Sequence, residues 1–561
     1  MRKSFRACLI AVAIFGISPT AFAQSHDSHA PAPPSTLAGW AKGAQLFDGL
    51  GTFHRKITTR SPLAQRYFDQ GMRFIWAFNH DEATRSFAKA AQIDATCASC
   101  YWGVALTLGP NYNMPMMSSP RAQVGWAAVR KAEANARRAT PVERALIAAV
   151  AKRYRSAGEV DPSNSAPLLN AYVDAMRRVA AKYPNDLDVQ TMYAEALMNT
   201  NPWKLWKPDG TPNPGTEQVL STLRHVLVKN PKHPGANHYY IHAVEASQHP
   251  EQAVPSAEAL EGMMPAAGHL EHMPAHIFQR VGRYEEAAEA NRKGAAADLV
   301  YLKQTAPPDY YPMYTIHNFQ FLAYSAGMEG RRAETITALK EARAHIPDQL
   351  LFGMPGLDWP ASFIYDGYTK FGMWDDMLKE KTPSEKLPGA TISYLQSRAT
   401  ALAATGKIAE AQAELVKTKQ LIAAVPADAT QGNNLARPLY EIGQLKAQAR
   451  VANAQGNRDE AIRLLTEAVG LEDKLAYNEP ADMIFPTRHL LGAELLASGK
   501  AVDAEAVYRQ DLKQHPNNGW AYYGLSQALA AQKRNADASA AQKQFEDAWR
   551  RSDVKLASTS F

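Results

Sequence analysis

The chain has 561 residues, 46% of them hydrophobic, and a formal net charge of +6. So mild a charge gives no argument for nucleic acid or an acidic membrane surface as a partner. Three cysteines cannot staple a chain of this length, so a hydrophobic core has to hold it.

Read in chain order, Arg2, Lys3 and Arg6 form a basic head, followed by an apolar run from Ala7 to Ile17 that is too short to span a bilayer. Ala21-Phe22-Ala23 supplies the small residues of a cleavage site, so residues 1–23 read as a secretory signal and Gln24 as the mature N-terminus. Cleavage removes three basic residues, which takes the charge from +6 to +3, and also removes Cys8. No later stretch is apolar enough for a transmembrane segment, and the expected location is periplasmic or secreted. A mature start of Gln24-Ser25-His26 would offer an amine, two amides and an imidazole to Cu(II) or Ni(II). Residues 24–45 read as a flexible Pro-rich linker, and residues 46–561 as one repeat array with loop insertions.

The array announces itself by register. Glycine followed five residues later by alanine recurs at Gly282 and Ala287, Gly406 and Ala411, Gly456 and Ala461, and Gly499 and Ala504. A small residue stands twelve before the alanine, an apolar one four after it, and a small one three further on, as in Gly71, Ala83, Phe87 and Ala90. Ala323, Thr335, Leu339 and Ala342 follow the same spacing, as do Gly492, Ala504 and Tyr508. Small residues at these places let two antiparallel helices approach closely. The pattern resembles the tetratricopeptide repeat over most of residues 62–549. That resemblance implies an all-α, right-handed α-solenoid of helix-turn-helix units whose first helices line a concave groove, and a scaffold that binds a peptide or partner protein. Pro-, Gly- and Trp-rich insertions at 201–218, 305–313 and 347–360 are expected to fold over it.

Candidate chemistry lies between His238 and His317. His238 and His272 are 34 residues apart, as are His242 and His276 and the repeat alanines Ala253 and Ala287. Each helix therefore carries two histidines at i, i+4 on one face. His269, His317 and Glu245 fall on the same stripe, with Tyr324 as a further neighbour. Neutral imidazole suits copper, zinc or iron. The expected metal ligands are thus His238, His242, His269, His272, His276, His317 and Glu245, with His238, His242, His272 and His276 closest together. Pro274 removes an N–H inside this region, so the helix there is expected to kink or start late, which would move His269.

Two readings stand side by side: an interaction scaffold with a histidine-rich metal site, and a metal-dependent enzyme using the same histidines. A repeat could equally copy a structural histidine. The residues after His238 and His272 are Tyr239 and Met273, which excludes a zincin motif. Tyr101 after Cys97-Ala98-Ser99-Cys100 excludes haem attachment, and with no thioredoxin-like strands around it the pair reads as an inert disulfide or two packed thiols ahead of a redox pair. No nucleotide-binding fingerprint is present. Met114, Met116 and Met117 form a cluster compatible with Cu(I) or with packing on Tyr112. The remaining aromatics, among them Trp203, Trp206, Tyr310, Tyr311 and Tyr314, are expected to pack the insertions down. Arg488 is expected to form a salt bridge within the array.

Overall fold

The small residues that set the register are the places where helices touch. A computed structural model describes residues 32–307, 311–346, 348–352 and 358–561. Among them, regular structure is helical apart from two isolated bridges and a short pairing of Thr430–Gln431 with Asn434–Leu435. The fold class is all-α. The signal region, the Gln24-Ser25-His26 motif and Tyr310 lie outside the described residues.

The chain divides into two compact units. One holds the described residues up to Pro274 together with Lys293–Thr315, and the other holds Ala275–Arg292 and Ile316–Phe561. Hairpins in the first unit pair Pro62–Trp76 with His80–Ile93, Ala98–Leu108 with Ser119–Asn135, Leu187–Met198 with Thr216–Lys229, and Pro234–Val244 with Val254–Leu260. In the second unit Pro388–Ala404 pairs with Ile408–Ala424 and Ala436–Ala454 with Arg458–Glu472. Arg488–Ala497 likewise pairs with Ala501–Gln514, and Gly519–Ala531 with Asn535–Ala548.

Ala83, Ala287, Thr335, Ala411, Ala461 and Ala504 are all fully buried, as helices in close approach require. A Cβ on Gly71 would come within 2.5 Å of the Phe87 ring. The turn glycines Gly456 and Gly499 have φ of +80° and +73°, a conformation that costs glycine nothing. The hairpins thus have the spacing and the close packing that the repeat pattern implies.

Two expectations on the connecting segments have different outcomes. The linker at 24–45 is corrected over its last part. Leu37–Ala41 is a short helix capped by the Thr36 side chain, and it buries Trp40 completely beneath the Arg121 guanidinium. A tryptophan ring brings enough apolar area to fix a segment that composition marks as loose. The insertion after Asn201 packs down as expected, with Trp206 Nε1–H donating to the Ala243 carbonyl at 2.8 Å. No described helix is long and apolar enough to cross a membrane.

Glycine substitutions should show how tightly the hairpins close. Tyr508 is wedged between Gly492 and Gly524, where an added Cβ would lie 2.3 Å and 2.1 Å from its ring. Gly524→Ala is therefore expected to destabilise the second unit by about 1–3 kcal/mol, the usual result of overpacking. Gly470, inside helix Arg458–Glu472, has open space where a Cβ would stand. Gly470→Ala should stabilise by up to about 1 kcal/mol through helix propensity alone. Opposite shifts in thermal midpoint check the pair; two shifts of the same sign would contradict it.

Candidate metal centre

Three helix segments of the first unit build the centre. Pro62–Trp76 starts with Ser61 as its cap and Pro62 in its first turn, positions suited to each. Just after it stands Phe78, five residues before Ala83, where other repeats place glycine. Its φ is +53°, which costs a side-chain-bearing residue roughly 1–2 kcal/mol, so surrounding contacts must hold it. They do: its ring centroid lies 4.3 Å from that of His238, and it stacks on His242 at 5.5 Å and on His269 at 5.6 Å.

Helix Pro234–Val244 carries His238 and His242 one turn apart. His233 caps it, its Nδ1 accepting from the Ala236 N–H at 3.0 Å. Gly235 lets this helix lie against Trp76, whose ring would be 2.3 Å from an added Cβ. His238 Nδ1 is 2.6 Å from the Trp76 carbonyl oxygen. A carbonyl only accepts, so Nδ1 carries the proton and Nε2 the lone pair. His242 Nδ1 is likewise 2.8 Å from Glu245 Oε1, which again directs the lone pair to Nε2. Carbonyl and carboxylate partners on the far nitrogen are what orient histidine ligands in metal sites.

The third histidine comes from Gly268–His272. Gly268 allows its approach to Asp298, whose Oδ1 would lie 2.0 Å from an added Cβ. His269 packs its ring 4.3 Å from Tyr314, and the Tyr314 hydroxyl accepts from Asn113 Nδ2 at 2.7 Å. His238, His242 and His269 are all buried, each with a ring nitrogen within 4.8 Å of the others'. Trp203 meets His242 edge-on at 5.2 Å and Tyr112 lies 5.5 Å from it. The set is therefore three imidazole nitrogens in an aromatic box, a composition suited to a borderline transition metal.

Within the first unit the membership differs from expectation in one respect. His269, rather than His272, joins His238 and His242. The helix is interrupted at Met273, with Gly268–His272 on one side and Pro274–Arg280 on the other, the break expected of Pro274. His272 is buried with its ring 5.9 Å from that of His269. Glu245 meets His242 at Nδ1 and, with His242, belongs to a further group of buried donors within 4.8 Å of one another. In the second unit, His276 and His317 are buried with rings 5.8 Å apart. His276 Nδ1 lies 2.7 Å from Glu479 Oε2, which also accepts from the Tyr477 hydroxyl at 2.9 Å. Tyr324 packs edge-on against Tyr284.

Sequence reasoning passed over Phe78, Trp76 and Asn113. Phe78 alone carried a local signal, an aromatic residue in a glycine's place. Elsewhere, Cys97 and Cys100 form a disulfide with an S–S distance of 2.06 Å. Both are buried, Cys97 as the cap of Ala98–Leu108 and Cys100 in its first turn. Met117 is buried and its backbone pairs with Val160. Arg488 forms its salt bridge with Asp473 at 2.6 Å. Tyr311 donates to Asp298 at 2.8 Å.

No protein-family model matches the chain, and no curated protein does. Solved structures that match the chain include a human IFIT1 dimer with m7Gppp-AAAA, at 12% identity over 88% of this chain and 91% of that one, TM-score 0.30. The Cut9–Hcn1 hetero-tetramer of APC/C matches at 14% identity over 87% and 74%, TM-score 0.29. Yeast Tom70 matches at 10% identity over 86% and 89%, TM-score 0.28. Superpositions this loose say nothing of ligand or activity. Fold and site together describe a helical-repeat protein with a buried cluster of three histidines.

Proposed function

We propose that this chain is an exported tetratricopeptide-type scaffold that binds a peptide or partner protein and holds one transition-metal ion on His238, His242 and His269. The scaffold part rests on the repeat hairpins, whose kind commonly serves as a binding module. The metal part rests on one observation: three buried imidazoles whose ring nitrogens lie within 4.8 Å of one another. Zinc, copper and iron all accept such donors. A second reading, a metal-dependent enzyme, draws on the same count, because three protein ligands and an open fourth position are the pattern of catalytic zinc.

Metal analysis of protein purified from the periplasm of its host, without a histidine tag, tests the proposal. About one metal ion per chain is expected, the usual loading of one such site, on a mature chain that begins at Gln24. Protein that takes up no zinc, copper or iron when equilibrated with each would end the metal assignment. An intact Met1 in the membrane fraction would end the export assignment.

A further inference from the structure

A buried lysine in the second unit faces a cavity and is tied to a histidine–aspartate pair. Lys370 ends helix Phe363–Lys370. Its Nζ lies 2.8 Å from His489 Nδ1, and His489 Nε2 lies 3.0 Å from Asp511 Oδ2. Asn518 Nδ2 donates to the same carboxylate oxygen at 2.6 Å, and His515 Nδ1 lies 3.0 Å from the other. With Nε2–H donated to Asp511, His489 Nδ1 holds a lone pair directed at Nζ. Lys370 also lines a cavity of about 100 Å³ walled by Trp374, Phe485, Asp366, Lys446 and Arg450.

The cavity's charges favour an anion. Lys446 and Arg450 stand one turn apart on Ala436–Ala454, and Arg450 lies over the Trp374 ring at 5.3 Å. Burial raises the pKa of Asp366, with Lys446 acting against the shift. Glu494 is raised by burial too and accepts from Asn453 Nδ2 at 2.6 Å. The rest of the wall is uncharged, a mixture of aromatic, aliphatic and small polar side chains.

We propose that Lys370 is a nucleophilic amine that condenses with the carbonyl carbon of a small oxo acid, whose carboxylate is seated by Arg450 and Lys446. The Nζ lone pair forms the C–N bond as the C=O π pair moves to oxygen, and His489 Nδ1 takes one proton from nitrogen. The oxygen leaves as water carrying both former amine protons, and C=N remains. No oxidant or reductant is consumed.

Such a step needs the free amine. Burial lowers the Lys370 pKa well below the usual lysine range; Lys446 acts in the same direction and Asp511 against it. The Trp520 ring, 3.6 Å from Nζ, favours the ammonium, but a buried lysine's desolvation outweighs one cation–π contact. His489, His515 beside Asp511, and the cavity's Asp366, Arg450 and Glu494 are its further charged and titratable neighbours.

Intact protein incubated at pH 7 with glyoxylate and cyanoborohydride, then digested for mass spectrometry, tests the proposal. Lys370 should be alkylated at least about tenfold faster than exposed lysines such as Lys407 and Lys533, tenfold being one unit of pKa. His489→Gln should shift the pH profile of Lys370 labelling. Arg450→Met should slow labelling by glyoxylate and leave labelling by acetaldehyde unchanged. Labelling of Lys370 in the wild-type protein no faster than of Lys407 overturns the nucleophile, whatever the variants do. Equal losses for glyoxylate and acetaldehyde in folded Arg450→Met overturn the carboxylate seat.

Discussion

Alanine at His238, His242 or His269 is expected to lower transition-metal affinity by more than about a hundredfold, beyond the range that loss of an outer-shell partner costs. Each variant removes one ring nitrogen from the group formed by His238, His242 and His269. Glu245→Gln should cost less, about ten- to a hundredfold. The amide still reaches His242 Nδ1 but withdraws the charge that makes Nε2 the better donor. His345→Ala is the control, because His345 is partly exposed and bonded to the Glu341 carbonyl. Competition with a chromophoric chelator would rank the variants. Acidification should release the metal, since only the deprotonated nitrogen ligates. Equal affinity in wild type and His242→Ala would remove the metal centre from this cluster.

Much of that cluster could be read from spacing alone. The 34-residue offset put histidines on matching faces of neighbouring hairpins, because helix periodicity and repeat register are both local rules. The choice of His269 over His272 was harder. It depends on how far the chain turns where Pro274 interrupts the helix, which periodicity does not specify. Phe78 shows a similar limit. Its occupation of a glycine's place is visible in the sequence, but its contacts with His238 and His269 join residues more than 150 apart. Lys370, His489 and Asp511 lie outside any shared local spacing, and only packing within the second unit joins them. Trp40 shows the converse, a linker-like composition overridden by one large ring that found a pocket.

The neighbour of Phe78 leads to the last expectation, a loss of stability in mild acid. His80 opens helix His80–Ile93 and is buried, with Nδ1 3.2 Å from the Phe78 carbonyl. Burial lowers its pKa to about 3; Arg153 and Arg121 add to the shift, while the Phe78 carbonyl opposes it. The fold therefore keeps this ring neutral, whereas in the unfolded chain it takes up a proton near its ordinary value of about 6.5. Between those two values the unfolded state binds the extra proton, so stability falls as pH drops through about 6.5 and levels off near 3. The slope is about 1.4 kcal/mol for each pH unit. Burial pushes Glu82 and Asp482 up to about 7, and these carboxyls act in the opposite direction over the same range, so the His80 share is read as a difference between wild type and variant. His80→Asn keeps an N–H for the Phe78 carbonyl and removes the titration. It is expected to be less stable than wild type at pH 7 because it fills less space, and to close that gap steadily as pH falls to 4. Urea midpoints of the two proteins across this range measure the effect. A gap independent of pH would show that His80 is protonated as readily in the fold as outside it.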